Sequence, residues 1–277
     1  METGFFRLGF AGLVLCLSLP IGLRAQCPSA PRDHLTHNAN RPTVADPADI
    51  TEQGVLELEF GWERDWLPGA SRGHSFSGLL KFAAGCNLEI RWGSDPFVSM
   101  GGERGFGDNW LGAQYRFRHQ TAHVPALAAS YMVKLPSASF TKQLGSGRVD
   151  HEFKLLASKD VRSLHFDFNA SVLLIGRPLA NGFDHNSEIN LAFSRSLKGK
   201  LGVTGEIYGD TRLNRGTPAF VSNLWALTYT ITPRLIIDSG IDVALTPDAP
   251  FRKRFVVGFV YSIAEVYPQL RRQLKSK

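Results

Sequence analysis

An alternation of apolar and charged residues with a period of two constrains this chain more than any other feature. Residues 54–66 read GVLELEFGWERDW, with Leu56, Leu58, Phe60, Trp62 and Trp66 on one side of an extended chain and Glu57, Glu59, Glu63 and Asp65 on the other. That period belongs to a β-strand with one oily and one wet face. Residues 164–175 repeat it, setting Leu164, Phe166, Phe168, Ala170, Val172 and Leu174 against His165, Asp167, Asn169 and Ser171. A helix would not sort its residues in this way.

The pattern recurs along most of the chain. Strands are expected near 55–66, 74–83, 86–93, 110–119, 126–135, 148–158, 164–175, 186–196, 200–211, 219–231, 235–245 and 254–263, most of them about ten residues long, the length a tilted strand needs to cross a bilayer. Short links (Ala84-Gly85, KDVRS, LKG, TPR) alternate with longer ones such as SDPFVSMGGERGFGDN and PSASFTKQLGSG. Short turns on one side and longer loops on the other are the signature of an outer-membrane barrel. Beyond the N-terminus no apolar run reaches the roughly 18 residues of a membrane helix, which excludes a bundle of such helices. With 43% hydrophobic residues the chain is too apolar to stay unfolded. A secreted β-sandwich would also alternate, but it explains neither the uniformly long strands nor the aromatics at the ends of their oily faces. The fold class is therefore all-β: a transmembrane antiparallel up-and-down barrel of about 12 strands.

The ends divide as follows. Residues 1–25, apolar from Leu8 to Leu23 and ending at Ala25, read as a secretory signal, with an uncleaved anchor as the alternative. Residues 26–53, rich in Pro, Asn, Asp and Thr, read as a periplasmic linker, residues 54–263 as the barrel, and residues 264–277 as a basic tail. Cys16 leaves with the signal. Cys27 and Cys86 remain and fall on the same side, where an oxidising periplasm allows either a disulfide or two free thiols.

The chemistry is sparse. His165, Asp167 and Ser171 share a face, but neighbours two apart on a strand stand about 7 Å from each other, too far for a direct hydrogen bond. No Cys or His cluster has metal-ligand spacing, and GGERGFG (101–107) precedes a strand instead of opening a helix, as a nucleotide loop would. No catalytic, cofactor or metal residues are assigned. The net charge of +6 sits largely in expected outer loops, among them Arg72, Arg104, Lys142, Arg177, Arg212 and Arg252, and in the tail. Such cations suit outer-membrane lipid and the phosphates of lipopolysaccharide, whereas nucleic acid would need a basic face interleaved with aromatics. Inward-facing candidates, expected to line a pore, are Glu57, Glu59, Glu63, Arg91, Arg116, Arg118, Lys134, Arg148, Glu152, Asp167, Glu188, Glu206, Asp238 and Asp242.

The segments GFGDNWLGAQYRF (105–117), PALAASYMVKLPSA (125–138), LGSGRVDHEFKLLASKD and LAFSRSLKGKLGVTGEIYG together resemble the MetA-pathway phenol-degradation family of outer-membrane barrels, over roughly residues 54–263. The resemblance implies a Gram-negative outer-membrane barrel that passes small molecules passively, with aromatic compounds as the substrate class. An arginine pair, Arg116 and Arg118, offers an anion contact for a small aromatic acid. The residues alone leave a second class open, a non-conducting barrel whose lumen is filled by charge pairs.

Overall fold

The computed structural model describes residues 37–212 and 218–267. The signal, Cys27, Arg215 and the tail beyond residue 267 lie outside the described residues. Among the described residues, twelve long strands and one short arm follow in chain order: β1 (Val55–Trp66), β2 (Arg72–Ala83), β3 (Leu88–Met100), β4 (Glu103–Gly105), β5 (Asn109–Arg118), β6 (Ala126–Leu135), β7 (Asp150–Val161), β8 (Leu164–Gly176), β9 (Phe183–Lys198), β10 (Leu201–Asp210), β11 (Phe220–Thr232), β12 (Leu235–Ala244) and β13 (Lys253–Glu265). Each long strand pairs antiparallel with its neighbour in sequence. The ring closes where β1 pairs with β13, Val55 opposite Glu265 and Trp66 opposite Lys253. β4 is an arm folded back on the tip of β3. The structure is a closed twelve-stranded barrel.

Its burial is inverted relative to a water-soluble protein. Glu57, Lys81, Glu89 and Gln114 are wholly buried, while Leu155, Trp225, Leu227 and Ile241 are each more than half exposed. Charged side chains almost never bury unless paired, and a continuous apolar exterior needs an apolar solvent. The exterior is a lipid-facing surface, and the fold is that of the bacterial outer membrane.

Two links depart from the sequence reading. The stretch expected as an outer loop after residue 93 continues as strand to Met100, because Phe97 and Val98 extend the pairing with Phe76 and Ser75 past a bulge. Gly101 and Gly102, at φ 61° and 89°, turn the chain into β4 where a side chain would be strained. The larger departure is residues 37–53. They are no linker beneath the barrel but an irregular segment inside it.

Candidate functional site

The segment enters beside the β11–β12 turn, where His37 N donates to Pro233 O, and leaves where Gly54 N donates to Ala83 O at the end of β2. Between these points it rises to mid-bore and returns. Pro42 and Pro47 lack an amide hydrogen, and the run has no strand or helix partner of its own. Irregular backbone at membrane depth must have its polar groups satisfied by surrounding protein. Here the wall supplies that satisfaction, side chain to backbone.

Glu59 accepts from the amides of Asn40 (2.9 Å) and Arg41 (3.0 Å), and Glu206 from those of Val44 (2.8 Å) and Ala45 (2.6 Å). Glu57 accepts from Asn38 N, Ser158 Oγ from Ala48 N, and Glu89 from both the amide and the hydroxyl of Thr51. Asn169 binds Asp46 as a strand residue would, accepting from its amide (2.7 Å) and donating to its carbonyl (2.8 Å). Gln114 donates to the carbonyls of Pro47 and Ala48. With Lys81 and Asp238, eight of the twelve strands hold the segment.

Charges complete the fit. Lys81 Nζ, wholly buried, lies 2.9 Å from Glu57 and 2.5 Å from Glu59, and donates to Asn38 O and Asn40 Oδ1. Asp46 bridges Arg91 (3.3 Å) and Lys154 (3.0 Å), and Asp49 meets Arg116 at 2.6 Å. Burial opposes ionisation of Asp46, but the Lys154 and Arg91 charges outweigh it and hold the carboxyl below the usual carboxylate range. At the entry, burial pushes the His37 imidazole below its ordinary value; Glu57 opposes the shift and Lys81 adds to it. Arg41 lies against Gly61 and Gly258, which face each other across β1 and β13, and its guanidinium reaches Asp238 at 3.2 Å. A Cβ on either glycine would occupy the space of that guanidinium. Small residues serve the same purpose on the opposite wall, where Ala48 packs on Ala126, Ala128 and Leu156.

The outer half of the bore is narrowed differently. Residues 245–252, the loop between β12 and β13, turn inward so that Ala249 and Phe251 pack on Tyr208 and Phe220, with Val44 from the top of the segment against the same cluster. Arg254 covers the Phe251 ring at 4.4 Å and holds Asp65 through two hydrogen bonds, 2.7 and 3.2 Å. Asp242 accepts from Tyr208 and Ser222.

The residues expected to line a pore sort into three groups. Glu57, Glu59, Arg91, Arg116, Glu206 and Asp238 contact the segment. The second group lines the wall without touching it. Glu63 accepts from Ser75 and lies 3.3 Å from Arg254, Lys134 pairs with Asp108 and Asp150, and Glu152 lies 3.4 Å from Lys154. Glu188 accepts from Asn190 and Asp167 from Ser158, while Asp242 belongs to the outer cluster. Arg118 and Arg148 form the third group, both exposed. Arg148 stands at the rim ahead of β7. A bulge between Arg116 and Arg118 sets Arg118 opposite Leu127, so the two arginines do not share a face. His165 and Asp167 do meet, at 3.1 Å, because their side chains lean together, and the ring also contacts Asp160 at 2.6 Å. Among the described residues no cluster of metal ligands occurs.

Cys86 is disulfide-bonded, and Cys27 lies outside the described residues. Sequence reasoning missed Lys81, Arg41, Asp46 and Asp49. A lone lysine in the apolar run LLKF and the repeated acid of ADPAD were the available signals.

The family model described as "Putative MetA-pathway of phenol degradation" matches residues 34–250. No curated protein matches the sequence. Among solved structures, an outer membrane channel from Pseudomonas putida F1 superposes with a TM-score of 0.62 at 12% identity, covering 78% of this chain and 98% of that one. The KdgM porin gives 0.55 at 10% identity (75% and 99% covered) and the NanC porin 0.54 at 9% identity (76% and 100%). At these identities the likeness is one of fold.

Proposed function

This chain belongs to the MetA-pathway phenol-degradation family, and from that premise we propose that it is a passive outer-membrane channel for small molecules, shut at rest by residues 37–53. One observation carries the reading. The bore is filled by a separate segment held through side chains, so the backbone ladder of the wall is complete as a ring without it and the filling can leave without unmaking the sheet. An eight-stranded barrel can fill itself with its own side chains, whereas twelve strands enclose more space than these do. Purified protein in planar bilayers tests the proposal: the intact chain passes little current, and a chain without residues 38–51 conducts steadily.

The family's name suggests an aromatic solute. Arg116, released from Asp49 when the segment withdraws, supplies the anion contact for a small phenolic acid. Liposome uptake of such acids by the shortened chain should fall with Arg116→Gln and stay unchanged with Arg118→Gln. A second reading, a non-conducting structural barrel, is favoured by the buried Lys81–Glu57–Glu59 and Lys134–Asp108 pairs, which fill volume a channel would leave open. Absence of current from the shortened, folded chain decides for it. Pairing of Cys86 with Cys27 belongs to the same proposal, as a tether on the segment. Denatured, unreduced mature protein should then show no free thiol.

A further inference from the structure

The contacts around residues 37–53 are those of a receptor for a peptide that folds back on itself. Wall side chains engage the amides of residues 38, 40, 41, 44, 45, 46, 48 and 51 and the carbonyls of residues 38, 46, 47 and 48. Main-chain hydrogen bonds of this kind give affinity without demanding a particular sequence, and pockets for chosen side chains then add selectivity. Two such pockets are present. Arg91 and Lys154 close on Asp46, and Arg116 closes on Asp49, the acids standing three apart with Pro47 and Ala48 buried between them. A residue bulkier than alanine at position 48 would meet the β6–β7 wall. The segment thus occupies the bore as a ligand would, its amides, carbonyls and two carboxylates met by named wall side chains.

We infer that the inner half of the bore is a binding site for short looped peptides carrying two acidic residues three apart, and that residues 37–53 are its resident ligand in cis. The inference concerns what the bore binds and does not require that current flow through it. It extends the channel reading by naming a ligand class for the same space, and its test reads binding.

A protease-recognition sequence in place of Glu52-Gln53 allows the assembled, membrane-embedded chain to be cut. Reduction then frees the segment from any tether. A fluorescent synthetic peptide of residues 37–53 is titrated against the cut barrel, and anisotropy is followed. Saturable binding is expected, weakened about thirtyfold or more in a peptide carrying Asp46→Asn and Asp49→Asn, the usual loss when one partner of a buried charge pair is neutralised. A scrambled peptide of equal composition should bind no better than the doubly substituted one. Equal binding of all three peptides, or none by the parent peptide, overturns the inference. If the cut barrel loses its heat-modifiable migration, the titration is run on the uncut chain carrying Asp46→Asn and Asp49→Asn, whose own segment is weakened in place. Failure of the parent peptide to exchange there overturns it equally. Binding without conductance in the shortened chain leaves this inference standing and removes the channel; conductance without binding does the reverse.

Discussion

The inner half of the bore is filled by the segment and the outer half is narrowed by a loop, and the two are held by opposite means. In the inner half, a polar segment is held from eight strands by hydrogen bonds to its backbone and by ion pairs to Arg41, Asp46 and Asp49. In the outer half, one loop turns in on an aromatic cluster of Tyr208, Phe220 and Phe251, pinned by Arg254. Apolar packing is non-directional and tolerates substitutes, whereas buried charges left without partners are costly. The inner filling is therefore an addressed one, undone only by something offering equivalent groups, and the outer narrowing is a general one. Val44, held by Glu206 and packed on the aromatic cluster, touches both.

The largest test of this contrast is to open each half separately. Removing residues 38–51 should convert a silent protein into a conducting one, while Phe251→Ala should leave it silent. Current from the Phe251 variant would reverse the assignment of which half forms the barrier. Next in size is Lys81→Met, which leaves Glu57 and Glu59 facing each other without their cation; breaking such buried pairing costs about 3–5 kcal/mol. Its urea midpoint, read by heat-modifiable migration, should fall well below that of the wild type. Phe60→Arg, on the lipid side of the same β1 row, should cost about 2–4 kcal/mol if it lies near mid-membrane, and should impair insertion without opening the bore. The smallest effect belongs to the outer cluster. Phe251→Leu keeps the cluster apolar and forfeits only the ring contacts, worth about 1 kcal/mol, and should appear as faster proteolysis within residues 245–252 with the melting point little moved.

How much of this could be read from the chain depended on whether one physical cause leaves one sequence trace. Period-two alternation has a single cause, so β1 and β8 and their inward faces were legible down to the parity of Glu57, Glu59 and Asp167. Pro, Asn, Asp and Thr without periodicity have two causes, a solvated linker or a strap whose hydrogen bonds come from elsewhere, and composition does not separate them. The same limit hid Lys81, whose meaning depends on β1 lying beside it. Arg116 and Arg118 failed as a pair for a local reason: a one-residue bulge exchanges faces, and no residue type announces it.

Arg41 sits at the joint between the first and last strands of the ring. Every other neighbouring pair in the ring is joined by a turn or loop as well as by its ladder; β1 and β13, the first and last strands, are held by the ladder and by side chains that bridge it. That joint is where a barrel would unzip. Arg41 lies across its inner surface, seated on Gly61 and Gly258 and anchored to Asp238 one strand farther on, while Ser262 of β13 donates to Glu57 of β1 beneath it. The segment is thus a clasp as well as a stopper. Withdrawing it frees the passage and loosens the seam in one act, so a chain that spends longer open should also live a shorter time as a ring.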